Sequence, residues 1–299
     1  DLDPGRVVVT SGSSAGFLLT FTALFDPGDR VGVAAPGYPS YRQILKALSL
    51  DPVDILTDPK TGHKLRPEGI KDYSLSGLLV ASPGNPTGTM LDKADLEVLA
   101  SCLKRRNISM ISDEIYHGIE YEKKAVTALE VTDDVYVINS FSKYFSMTGW
   151  RVGWLIVPPN HIRTIERLAQ NMFICPPHVS QIAALGALQA SEELDVNLAN
   201  YAENRRLMLK HLPEAGITEI APPDGAFYIY ADISKFKVNS LKFAADVLKY
   251  AGVAITPGLD FDPIRGANTI RFSYAQSTSE IIEGLQRLKA FMHNYYLTK

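Results

Sequence analysis

Short apolar, β-branched runs alternate with stretches of helical periodicity along the first two thirds of this chain. Residues 7–10, 31–34, 53–56, 78–81, 108–111, 135–138 and 152–157 each read as a buried strand. Between them, 17–25, the segment running to Leu48, and 93–105 read as helices, the last with Leu96, Leu99, Ala100 and Leu103 on one face. Residues 58–66 are polar and carry Pro59 and Gly62, which marks a loop. After residue 157 the pattern turns helical, over 161–173, 180–190 and 193–212, the last two nearly continuous. A strand at 226–231, an amphipathic helix at 240–250, a short strand and turn over 253–258, a strand at 269–274 and a helix at 280–296 close the chain. Strand and helix in alternation predict an α/β fold: a mostly parallel central sheet with flanking helices over 1–195, then a smaller C-terminal α+β domain over 196–299.

The polar residues that follow the strands carry the chemistry. Asn85, Asp113 and Lys143 each follow an apolar run, at intervals of 28 and 30 residues, about one strand-crossover unit apiece. In a parallel sheet such positions share the carboxyl edge, where ligands bind. The spacing therefore brings an amide, a carboxylate and an amine to one pocket. Around Lys143 lie Ser140, Ser142, Ser146, Thr148 and Arg151, between two strands. A lysine at a strand end among small hydroxyls can be desolvated into a nucleophilic amine, and the serines and arginine suit a phosphate. Ser11 to Gly16 is a small-residue turn that opens a helix, a second place for an anion. Tyr38 and Tyr41 follow the second strand, where an aromatic ring can stack on a planar ligand. A Schiff-base lysine beside a phosphate cradle is the pattern expected for pyridoxal phosphate.

Composition narrows the class without changing it. The chain has 299 residues, 46% hydrophobic and 21% charged, with a formal net charge of −3. That size calls for two domains or one large α/β domain, and the charge favours neither nucleic acid nor an anionic membrane surface. No apolar run is long enough to span a bilayer. Cys102 and Cys175 make neither a disulfide framework nor a zinc site, so no metal is expected, and a cytoplasmic location is the default.

Taken together, Ser140-x-Ser142-Lys143 with Gly149-Trp150-Arg151, Asn85-Pro86-Thr87-Gly88, Asp113-Glu114-Ile115-Tyr116 and the late Arg271 resemble the class I/II, aspartate aminotransferase-like enzymes of fold type I, over nearly the whole chain. The resemblance implies an aminotransferase that moves an amino group between an α-amino acid and a 2-oxo acid. Lys143 would hold pyridoxal 5'-phosphate as a Schiff base and shuttle a proton, and Asp113 would pair with the ring nitrogen. Asn85 and Tyr116 would bond the ring hydroxyl, and Tyr38 would stack on the ring. Gly12, Ser13, Ser14, Ser140, Ser142 and Arg151 would hold the phosphate, and Arg271, with Asn85, would grip the substrate α-carboxylate. A homodimer is expected, since family sites lie at the subunit interface. Two features depart from the family: Phe261-Asp262 stands where relatives often have Phe-Gly, and little chain precedes the Gly12-Ser13 turn, so a fragment lacking an N-terminal segment is expected. The alternatives are a carbon–sulfur β-lyase on the same fold, a truncated scaffold without catalysis, and a ligand-sensing module fused to a DNA-binding domain. The acidic charge and the lack of a basic helix-turn-helix speak against the last.

Overall fold

The computed structural model describes residues 2–297. A seven-stranded sheet is built from β1 (Val7–Thr10), β2 (Arg30–Ala35), β3 (Asp51–Leu56), β4 (Gly77–Ala81), β5 (Ser109–Asp113), β6 (Tyr136–Ser140) and β7 (Gly153–Ile156), in the order β1-β7-β6-β5-β4-β2-β3. Strands β2 to β6 pair in parallel, while β7 runs antiparallel to both β6 and β1. The continuous apolar runs of β4 and β5 fit their place at the centre, where both faces are covered. The crossover helices are α1 (Ser13–Leu24), α2 (Pro39–Ala47), the short α3 (Pro67–Ile70) and α4 (Lys93–Arg105). Helix α4 starts at a capping box in which Asp92 and Asp95 each accept the other's backbone N–H, worth about 1 kcal/mol. It buries Leu96, Leu99 and Leu103 against one face of the sheet.

The β6–β7 connection matters most for the site. Only residues 141–152 separate these strands and they hold no α-helix, so β7 returns antiparallel and the intervening loop stays at the sheet's carboxyl edge. This loop carries Lys143.

Beyond β7, α5 (Ile162–Met172) and α6 (His178–Ala187) precede α7 (Ser191–His211). Two nearly continuous helices are expected over 180–190 and 193–212, and the break between them falls slightly earlier, between Ala187 and Ser191. A three-stranded antiparallel sheet follows, β8 (Tyr228–Asp232), β9 (Thr256–Pro257) and β10 (Thr269–Ser273), in the order β8-β10-β9. With α8 (Ser240–Ala251) and α9 (Thr278–Met292) it encloses a separate core of Ile229, Phe243, Val247, Ile270, Tyr274 and Leu288. Among the described residues, no helix is long and apolar enough to cross a membrane.

Candidate active site

Strands β4, β5 and β6 are adjacent and in register, with Ala81 beside Asp113 and Asp113 beside Ile138. Their carboxyl ends therefore deliver Asn85, Asp113 and Lys143 to one place, as the sequence spacing predicts.

Asp113 is the last residue of β5 and is 4% exposed. Its Oδ1 accepts the Ile115 N–H at 3.0 Å, and its Oδ2 accepts the hydroxyl of Tyr41. Burial pushes its pKa up to about 6, against the pull of those two hydrogen bonds. Tyr41 is itself buried, and burial together with the Asp113 charge raises its pKa well above the ordinary value. Its neighbour Tyr38 meets it edge-on, with ring centroids 5.4 Å apart, and keeps an open face at 39% exposure.

The Lys143 amine lies 5.7 Å from the Tyr116 ring centroid and 5.8 Å from that of Phe227. Burial lowers its pKa; Arg271 and Arg151 push the same way and Asp113 opposes them. The result favours a neutral, nucleophilic amine. Tyr116 is buried with its hydroxyl 3.0 Å from that of Tyr228.

A second cluster lies at the start of α1. Gly12 is the N-cap, with φ 77°, and no side chain caps the helix, which leaves its first N–H groups to an outside partner. A Cβ at Gly12 would lie 2.9 Å from Cζ of Arg151, so only glycine lets that guanidinium approach. Arg151 is exposed, in the left-handed region at φ 52°, and donates to the Thr148 carbonyl at 3.0 Å. Ser13 is half-buried and Ser14 exposed at the same helix start. Ser140 and Ser142 are buried with their hydroxyls 2.9 Å apart. Ser140 donates to the Val152 carbonyl and accepts the Ser142 N–H, so it braces the Lys143 loop from within.

Arg271 marks the other end. It sits in the middle of β10, opposite Tyr230, and donates to Asn85 Oδ1 at 2.9 Å and Thr256 Oγ1 at 3.2 Å. Its Cζ lies 4.3 Å from the Tyr228 ring centroid and 4.7 Å from that of Phe261. Its Nε is buried without a partner, and no acidic side chain among the described residues pairs with it. A half-buried cation with a buried, unused Nε donor calls for an anion.

This set fits pyridoxal phosphate: an amine for its aldehyde, a carboxylate for its ring nitrogen, and a helix start with an arginine for its phosphate. The matches with known proteins agree. The model of the family described as aminotransferase class I and II matches residues 1–288. The chain belongs to the class I and II aminotransferases. A valine–pyruvate aminotransferase from Mycobacterium tuberculosis is 46% identical over 297 residues, which is 97% of this chain and 76% of that protein. A crystal structure of an aminotransferase from the same organism superimposes with TM-score 0.95 at 46% identity, over 98% of this chain and 77% of that one. A candidate aminotransferase from Silicibacter pomeroyi reaches TM-score 0.97 at 65% identity, over 98% and 80%. The fold is that of these aminotransferases, and the activity is pyridoxal-phosphate-dependent transfer of an amino group between an amino acid and a 2-oxo acid. Nothing in these relatives favours the β-lyase alternative.

Three pairings escape a reading of the sequence alone: Tyr41 on Asp113, Tyr228 on Tyr116, and Phe261 against Arg271. The Tyr41 signal was nearest to hand, since it lies one helical turn beyond Tyr38.

Proposed function

We propose that Lys143, Asp113 and Arg271 carry the transamination, and that the preferred substrate is a monocarboxylic amino acid with an apolar side chain. The single observation behind this reading is the placement of one desolvated amine between a buried carboxylate and two unneutralised guanidiniums. When bound, pyridoxal phosphate supplies an aldehyde for amines and a ring that takes up the electron pair released at the substrate Cα. Lys143 would hold that aldehyde and, once freed as an amine, would carry the proton from the substrate Cα to the cofactor carbon that bore the aldehyde. Asp113, ionised above pH 6, holds the ring nitrogen in its protonated form. Tyr41 and the Ile115 N–H fix the orientation of that carboxylate. Asn85 and Tyr116 orient the ring hydroxyl, and Tyr38 covers the ring face. The α1 start at Gly12, Ser13 and Ser14, with Ser142 and Arg151, holds the phosphate, and Ser140 braces Ser142. Arg271 binds the substrate carboxylate through its free donors.

The cations that act on Lys143 are Arg151 and Arg271, and these roles use both. Tyr116 and Phe227 stand beside Lys143, and Tyr228 and Phe261 beside Arg271. That wall suits an apolar side chain better than a second carboxylate, in keeping with the valine–pyruvate name of the Mycobacterium tuberculosis relative. The test is a panel of amino donors with pyruvate or 2-oxoglutarate as acceptor. Valine with pyruvate should exceed aspartate with 2-oxoglutarate in kcat/KM by about 10-fold or more; a preference for aspartate would overturn the side-chain assignment.

We further propose a homodimer, a division into units 1–195 and 196–299, and a cytoplasmic location. An apolar surface along β1 and α6 supports the first. The core of the smaller sheet, separate from those on the large sheet, supports the second, with α7 running across the division; limited proteolysis that never yields unit-sized fragments would count against it. The free Cys102 and the exposed free Cys175 fit a reducing compartment; recovery of the protein only in an extracellular fraction would exclude the third.

A further inference from the structure

The loop between β9 and β10 belongs to the smaller sheet by connectivity but is fastened to the larger one. Asp262, 2% exposed, accepts the N–H of Ile264 at 3.0 Å and of Arg265 at 2.8 Å on Oδ1. Its Oδ2 takes the Arg265 Nε at 2.9 Å. Thus held, the Arg265 fork reaches two carbonyls at the carboxyl edge of the large sheet, Thr57 at 2.8 Å and Ala35 at 2.6 Å. The next fastening is Phe261, whose carbonyl accepts the Gly37 N–H and an Arg42 N–H, both at 3.0 Å. Arg42 is in turn anchored by Asp54. At the loop's base Gly258 and Gly266 pack backbone to backbone, closer than any side chain would allow, and Ser240 bonds the Gly266 carbonyl at 2.8 Å. The ring of Phe261, 2% exposed, then lies against Arg271 on one side of the loop, while the loop's contact at Gly37 adjoins Tyr38.

We infer that Asp262 and Arg265 are positioning residues for substrate recognition: they clasp this loop onto the ends of β2 and β3 and so hold Phe261 against the guanidinium of Arg271. The inference rests on the reading of Arg271 as the carboxylate clamp. A guanidinium on a strand has several rotamers, and the clasp selects the one whose Nε stays free for an anion. The same loop ties that choice to the turn bearing Tyr38. The clasp thus bears on how a carboxylate is held, and not on how the amine reacts.

The test uses the protein loaded with pyridoxal phosphate and two probes that each lack one group: 3-methylbutanoate, with no amine, and 2-methylpropan-1-amine, with no carboxylate. In Arg265→Ala the carboxylate probe should bind about 10-fold more weakly by calorimetry, the scale of one charged hydrogen-bond set. The rate at which the amine probe bleaches the cofactor absorbance should stay within about twofold of the parent. Unchanged carboxylate affinity, or an equal loss on both probes, overturns the inference. Asp262→Asn, which keeps the shape and weakens the hold on Arg265, should show the same split to a smaller degree; it decides the matter by the same criteria if Arg265→Ala does not fold. Arg271→Lys separates the two claims. If it keeps full carboxylate affinity, the clamp reading fails; if it loses affinity while Arg265→Ala does not, only the clasp fails.

Discussion

At Asp113 two influences oppose each other. Burial favours the protonated acid, while the Tyr41 hydroxyl and the Ile115 N–H favour the carboxylate, and burial prevails with a pKa of about 6. At this residue the folded state therefore holds more proton than the unfolded chain between the ordinary value of 3.8 and about 6. The contribution of Asp113 to the stability of the cofactor-free protein should fall as pH rises through that window and level off above it. Asp113→Asn removes the effect. In urea unfolding, the stability of the variant relative to the parent should rise between pH 4 and pH 7, by at most roughly 3 kcal/mol. A difference that does not move with pH would contradict the assignment. Asp113 was legible in the sequence because it ends an apolar run one crossover from Asn85 and one from Lys143. Tyr41, which tunes it from 72 residues away, was not. The Arg271–Asn85 contact across 186 residues was approached only through the family resemblance; nothing local records a pairing set by the approach of two sheets.

Among the elements, the start of α1 and the β6–β7 loop together make up the proposed phosphate site. Gly12 is needed twice, for its positive φ and for the space that the Arg151 guanidinium occupies. Gly12→Val should weaken pyridoxal phosphate binding by about 100-fold or more in fluorescence titration, combining a strained backbone with a displaced arginine. Binding within about threefold of the parent would show that this helix start is not the phosphate site. The strands and long helices were legible from periodicity. The antiparallel return of β7 follows from the short connection, which holds no crossover helix. The break between α6 and α7 was legible only to within a few residues, since apolar positions continue through it. The clasping role of the 258–266 loop was also hidden, although Phe261-Asp262 stood out as a departure from the family pattern.

For the whole molecule, an apolar surface runs along the edge strand β1 and helix α6. Val7, Val9, Leu185 and Leu188 are exposed there around a cavity of about 430 Å³ that also touches Phe141 and Val152, which flank the Lys143 loop. An apolar edge of this kind on an isolated chain invites a partner, and a second copy is the one the proposed dimer provides. Light scattering should give twice the chain mass of 32.9 kDa; a monomer at micromolar concentration would contradict the dimer. The central claim is that one amine, Lys143, holds the cofactor and moves the proton. Its most direct test is the absorbance of the protein loaded with pyridoxal phosphate, followed through one cycle. The band should bleach with valine, return with pyruvate, and be absent in Lys143→Ala together with the activity. A Lys143→Ala protein that keeps the band and the amino-acid cycle would contradict the account.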